Sequence, residues 1–145
     1  MRVLEIMSTD VHAIAPDATV QDAAVLMRSF DIGSLPVCAG SRLIGIITDR
    51  DITVRITAAG LSPAQTTVAD AMTTDARVCL DGEAVTEAAR MMQELQVRRL
   101  PVVDQAHNLV GMVSLADIVE RTGDRGLAAE VLEQVCEHPH EAQVD

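Results

Sequence analysis

Hydrophobic positions along this chain keep two rhythms. Val20, Ala23, Ala24 and Met27 fall at i, i+3, i+4 and i+7, and Val85, Ala88, Ala89 and Met92 repeat that spacing. Such stripes predict amphipathic helices over 19–30 and 84–95. Short β-type runs follow each: 35–38 and 43–48 around one polar turn, 100–103 and 109–114 around another. Thr19 with Asp22 is a start signal for the first helix, whereas the second has Ala84 at that place and must find its cap elsewhere. With a short strand near 11–15, its partner near 76–80, and a helix after each hairpin, the order reads strand, helix, strand, strand, helix, twice.

The recurrence is a true duplication. Sliding the chain against itself by 65 residues aligns VLEIMSTD (3–10) with VADAMTTD (68–75), and the match runs without a gap to LPV at 35–37 and 100–102. Beyond LPV the offset becomes 66, so that Gly45, Thr48 and Asp51 fall on Gly111, Ser114 and Asp117. The extra residue sits in the hairpin turn, where it is tolerated; inside a strand it would turn every later side chain to the wrong face. The expected organisation is repeat one over 1–57, a linker AAGLSPAQTT over 58–67, repeat two over 68–122, and a C-terminal helix and acidic tail over 123–145.

The fold class this implies is α+β. A three-stranded sheet with two helices on one side leaves its other face open, and a unit of some 55 residues hides too little apolar surface alone. Two β-α-β-β-α repeats packed with pseudo-twofold symmetry through their small sheets would cover each other. Leu127, Val131 and Val135, at i, i+4 and i+8, form a further stripe that would cover the module or a dimer partner.

Composition narrows the chemistry. Twenty-two acidic against 11 basic residues give a net charge of −11, which repels phosphate backbones and anionic membranes, so neither nucleic acid nor a membrane is expected as a partner. All basic residues are arginines, Trp and Tyr are absent, and Phe30 is the single aromatic. That excludes a Walker-type or Schiff-base lysine, a tyrosine acid and an aromatic platform for single-stranded bases. Glu5 and Asp10 interrupt the stretch where a secretory leader would need apolar residues, so the expected location is the cytoplasm. Cys38, Cys79 and Cys136 are odd in number and widely spaced, which predicts reduced thiols; Cys38 aligns with Val103 and Cys79 with Ile14, both core-type positions.

Two tetrapeptides stand where a strand gives way to a helix: Thr48-Asp49-Arg50-Asp51 and Ser114-Leu115-Ala116-Asp117. A hydroxyl at the N-cap with an acid three residues on is a capping box, and that alone justifies both residue types. Capping boxes favour the longer Glu or Gln at the third position, however, and here Asp appears both times, which argues for a further task. A helix start also offers free N–H groups to an anion. The copies differ: Arg50 precedes Asp51 and Gly33-Ser34 precedes the first LPV, while Arg98-Arg99 precedes the second. A guanidinium forks onto phosphate oxygens where it meets them, and Arg98 and Arg99 have the alternative of solvating a strand edge.

The doubled pattern of LPV, a turn and GIITDRD or GMVSLAD resembles the cystathionine-beta-synthase (CBS) domain in tandem, over nearly all of residues 1–122. The resemblance implies a two-repeat Bateman module of the stand-alone type, a homodimer that binds an adenosine-containing ligand (AMP, ADP, ATP or S-adenosylmethionine), requires no other cofactor and regulates an unknown protein partner in trans. The 23 residues after position 122 are too few for an attached effector domain. Carried onto this chain, the ligand-binding residues are Thr48, Arg50, Asp51, Ser114, Asp117, Arg98 and Arg99: the aspartate accepts from two ribose hydroxyls, and the hydroxyl residue and helix amides hold phosphate. With few aromatics, the base is expected to rest between aliphatic walls at 11–14 and 76–78. The Asp51 site is expected to prefer a phosphorylated ligand and the Asp117 site to be weaker, less charged in its demands, or empty.

The rival reading is a scaffold that binds no ligand and uses both acids only as caps. An enzyme is not expected, since no nucleophile and base can be assembled from these spacings. Cys136, His138 and His140 offer three metal-type donors, but an acidic, proline-containing tail is more often disordered, and no metal site is assigned. His12 aligns with Arg77 and belongs to the surface or to the rim of a cleft; His107 belongs to a turn.

Overall fold

The structure is a computed structural model that describes residues 1–137. In chain order these form α1 (Val3–Ile6), α2 (Val20–Phe30), β1 (Ser34–Ala39), β2 (Arg42–Thr48) and α3 (Asp49–Asp51), which widens into a π-helical stretch over Ile52–Thr57. There follow α4 (Val68–Ala71), β3 (Cys79–Leu80), α5 (Val85–Leu95), β4 (Arg99–Val103), β5 (Leu109–Ser114), α6 (Leu115–Thr122) and α7 (Arg125–Glu137). The fold is α+β, and both long stripes and both hairpins lie where the periodicity puts them.

Local chemistry explains most boundaries. Thr19 Oγ1 accepts from the Asp22 N–H at 3.0 Å, and Asp22 accepts from the Thr19 N–H at 3.1 Å, closing the first helix start. Asp31 and Gln96 take left-handed conformations at the ends of α2 and α5 and stop both helices at the same relative point. The early strand is a true strand only in the second repeat, where β3 pairs in parallel with β4. In the first it shrinks to one parallel bridge between Ile14 and Val37. After the acid motifs the copies diverge. Residues 52–57, ITVRIT, carry five β-branched side chains, which crowd a regular α-helix; there Ala58 N–H bonds to Thr53 O and Leu61 N–H to Ile56 O, the wider i to i+5 pattern.

The chain groups into two compact units, and neither coincides with a sequence repeat. One comprises Met1–Val11, Arg77–Ala106 and the chain from Val110 onward; the other comprises His12–Ala76 with His107–Leu109. Each repeat has therefore given its first segment to the other. In the first of these units Val3 N–H bonds to Glu83 O (2.8 Å), Leu4 N–H to Asp81 O (3.0 Å) and Val85 N–H to Met1 O (3.0 Å). In the second, Val68 N–H bonds to Ala18 O (2.8 Å), Ala69 N–H to Pro16 O (3.0 Å) and Val20 N–H to Thr66 O (2.9 Å). The two sets are the same bonds at an offset of 65. They also supply the cap that Ala84 lacks, because the Met1 carbonyl takes an N–H at the start of α5. Apolar burial anchors the exchange: Val3 and Ile6 on α1, like Val68 and Ala71 on α4, are fully buried in their adopted units.

The glycine of each repeated motif belongs to the same arrangement. Ile46 and Thr73 exchange backbone bonds at 2.9 and 2.8 Å, and Ser8 and Met112 do so at 2.8 and 2.9 Å. A Cβ at Gly45 would stand 2.8 Å from Thr73 O, and one at Gly111 would stand 2.7 Å from Ser8 O. Close backbone passage is what bars a side chain there.

One helical position departs from expectation. Ala24 is exposed, although its counterpart Ala89 is fully buried. The cause is α7, whose buried Ala128 and Val131 join the core beside α5. Nothing among the described residues covers α2 in that way.

Candidate functional site

Both acid motifs sit at a strand-to-helix junction, and both close as capping boxes. Thr48 and Ser114 keep extended backbones, with ψ of 162° and 164°, before the chain turns helical. Thr48 Oγ1 accepts from the Asp51 N–H at 3.0 Å while Asp51 Oδ2 accepts from the Thr48 N–H at 3.0 Å. In the second copy the distances are 3.1 Å for Ser114 Oγ and 2.8 Å for Asp117 Oδ2. The preference of capping boxes for Glu or Gln at the third position thus does not bar Asp from the role. It reaches back as well as Glu would, and Asp22 does the same for Thr19.

Each carboxylate spends one oxygen on its own backbone. Asp51 is half-closed off, its side chain 13% exposed, with Oδ1 lying 3.8 Å from Arg55 Nη2. Asp117 is half-buried, and its Oδ1 makes no further hydrogen bond or ion pair among the described residues. Arg55 is a residue that motif reading missed, although its i+4 spacing from Asp51 is a recognisable pair signal. Its Nη1 donates to Ala71 O (3.0 Å) and Met72 O (2.9 Å), so it ties the exchanged α4 to the helix carrying Asp51.

The residues before each LPV do meet their acid motif. Asp49 N–H bonds to Gly33 O at 2.9 Å, and Leu115 N–H to Arg98 O at 2.8 Å. Arg98 is thus held beside the Ser114–Asp117 turn through its backbone, while its exposed guanidinium lies 4.0 Å from Cys136 Sγ on α7. Arg99 is exposed at the first position of β4. Arg50 is exposed on the first turn of α3, and its guanidinium has no hydrogen bond or ion pair among the described residues.

Other candidates resolve as follows. Cys38 and Cys79 are buried free thiols, as their alignment with core positions foretold, and Cys136 is exposed. Burial pushes the Cys38 thiol up; burial, then a hydrogen bond to Glu83 and the nearby Glu83 and Glu87 charges, push Cys79 up to about 12. No group of three or more metal-type donors occurs among the described residues, and His138 and His140 lie outside them. His107 is in a turn at φ +68°. His12 is half-buried and stacks on Phe30, ring centroids 3.6 Å apart at 12°. A cavity of about 190 Å3 beside Met1, the start of α5, Thr122 and Asp124 contains none of the expected ligand residues.

Two hairpins, each delivering a hydroxyl and an aspartate onto a helix start, define a module of two like repeats. The chain belongs to the CBS domain family: its residues 3–57 and 68–123 both match the CBS domain. It is similar to the CBS domain-containing protein YhcV of Bacillus subtilis, 40% identical over 116 residues, 80% of this chain and 81% of that one. Hypoxic response protein 1 of Mycobacterium tuberculosis is 37% identical over 134 residues, covering 91% of this chain and 92% of its own. A crystal structure of hypoxic response protein I with two coordinated zinc ions superposes with a TM-score of 0.75 over 83% of this chain and 98% of that one. CBSX2, a CBS-pair protein of Arabidopsis thaliana, has been solved in complex with AMP; that structure is 28% identical, with a TM-score of 0.71, over 83% of this chain and 95% of its own. Among the described residues no helix is long and apolar enough to cross a membrane.

Proposed function

We propose that this chain is a regulatory CBS pair that binds an adenosine nucleotide at Asp51 and, more weakly, at Asp117, and that it works as a cytoplasmic homodimer acting in trans on a separate protein. It is a binding module, without catalytic residues. The observation that carries this reading is the pair of carboxylates, each immobilised through one oxygen at a helix start and each keeping Oδ1 clear of its own backbone. A ribose hydroxyl donates to such an oxygen at little entropic cost, since the acceptor is already fixed. Arg50, exposed and without a partner among the described residues, offers a fork for phosphate beside Asp51 that Ala116 cannot offer beside Asp117. The AMP complex of a relative supports the ligand class.

Magnitudes suit a sensor. A nucleoside monophosphate of roughly 23 heavy atoms, at about −0.3 kcal/mol per atom, binds near −7 kcal/mol, a Kd of order 10 μM. Occupancy then follows metabolite concentration, and the response is a population shift no larger than the ligand's differential affinity for the two states. Isothermal titration of AMP, ADP, ATP and S-adenosylmethionine against the wild type, Asp51→Asn and Asp117→Asn tests this. Asp51→Asn should lose most of the affinity and Asp117→Asn little. Equal losses refute the ranking, and no binding at millimolar ligand refutes the sensor.

One finding favours a second reading. Both capping boxes are complete, so Thr48, Asp51, Ser114 and Asp117 are accounted for in a scaffold that binds nothing. Thermal shift separates the two, because a ligand at 100 times its Kd adds about 2.7 kcal/mol and a scaffold gains nothing.

A further inference from the structure

We infer that the stacked pair His12–Phe30 is the surface on which the base of a purine nucleotide lies at the Asp51 site. The inference rests on the proposed adenosine-nucleotide reading and names the residues that select the base. It also replaces the expectation of purely aliphatic walls. With a single Phe in the chain, a ring platform cannot be read from composition; the fold builds one by laying His12 parallel to Phe30.

Three features of the His12–Ala76 unit converge. Phe30 is the last residue of α2 and is 44% exposed. Only three residues separate it from Ser34, which opens β1 opposite Thr48, and Gly33 O accepts from the Asp49 N–H at the start of α3. His12 lies two residues before Ile14, which is bonded to Pro36 and Cys38 along the β1 edge opposite β2. The ring pair and the Thr48–Asp51 turn therefore occupy the same end of one small sheet. Two strand spacings, about 10 Å, separate the His12 segment from β2, a span that a nucleoside bridges with its sugar at Asp51 and its base on the rings.

The chemistry matches. Every nucleobase has a π-face, a purine the larger one, and a ring pair already stacked loses little freedom on adding a third layer. The second repeat carries Arg77 and Leu95 at the equivalent positions, so no such surface exists beside Asp117. This gives the two sites different demands on the base.

The test compares AMP with ribose 5-phosphate by titration calorimetry on the wild type, Phe30→Leu and His12→Asn, with Asp51→Asn alongside. Phe30→Leu keeps apolar bulk at an exposed position, and an unchanged Tm shows that the variant is folded. Both ring variants should bind AMP about tenfold more weakly and ribose 5-phosphate as before, while Asp51→Asn weakens both. Because the protein has no Trp or Tyr, etheno-AMP fluorescence reads the same stacking without background: quenched by the wild type, not by Phe30→Leu. Unchanged AMP affinity in the ring variants, or equal wild-type affinity for AMP and ribose 5-phosphate, overturns the stacking and leaves the Asp51 site standing. A wild type that binds neither compound overturns both.

Discussion

Gly111→Ala is the sharpest probe of the exchanged segments. Its Cβ would stand 2.7 Å from Met7 Sδ and 2.7 Å from Ser8 O. The methionine can swing away. The carbonyl cannot, because Ser8 and Met112 hold each other by two backbone bonds of 2.8 and 2.9 Å. Relief means either overpacking, at about 1–3 kcal/mol, or surrender of both bonds at about 1 kcal/mol each. Both routes centre on a loss of about 2 kcal/mol, and at roughly 4 °C per kcal/mol for a chain of this length the Tm should fall by about 8 °C. Without Trp or Tyr the assay is circular dichroism at 222 nm, by heat and by urea. Gly40→Ala is the control: its φ is +64° but nothing lies within 4 Å, so only left-handed strain of about 1–2 kcal/mol applies. Gly45→Ala, aimed at Thr73 O, should behave like Gly111→Ala. If both variants unfold where the wild type does, the backbone crossing is absent and the exchange with it.

Other consequences are open to direct measurement. Ala84→Ser would add a hydroxyl where the backbone already has N-cap geometry (φ −68°, ψ 148°) and should raise stability by about 1 kcal/mol, while Thr19→Ala should lower it by about as much; opposite signs in urea melts are the check. In the folded protein at pH 8 a thiol reagent should label exposed Cys136 at once and buried Cys38 and Cys79 only on unfolding, and three equal rates would contradict the burial. Cys79 ionises near 12 when folded against 9.0 ordinarily, so its contribution is full below about pH 9 and fades as pH rises toward 12. Over that window the alkaline loss of stability should be shallower in Cys79→Ala.

Much of the site could be read from residue spacing, and the limits of that reading are physical. Thr48–Asp51 and Ser114–Asp117 lie at strand-to-helix turns because a hydroxyl N-cap with an acid three residues on specifies such a turn locally. The preference for Glu or Gln at the third position did not decide against capping, because Asp51 and Asp117 reach the N-cap N–H groups at 3.0 and 2.8 Å. Arg55 escaped notice because its partners, Ala71 O and Met72 O, belong to a segment that only the fold brings near. Ala24 and Ala89 are indistinguishable within their helices, and a helix some forty residues further on made one of them core.

The amino-acid sequence by itself determined the duplication, the two helical stripes, the hairpins and the turn that absorbs the extra residue. All of these follow from interactions within a few residues or from one periodic face. Tertiary structure alone decided which opening segment joins which repeat. VLEIMSTD and VADAMTTD carry the same pattern and would satisfy either dock by local rules, so the choice rests on contacts such as Val3 with Glu83, eighty positions apart. The same long-range packing brought His12 onto Phe30. No periodicity records such a meeting, because its energy exists only once the chain has closed.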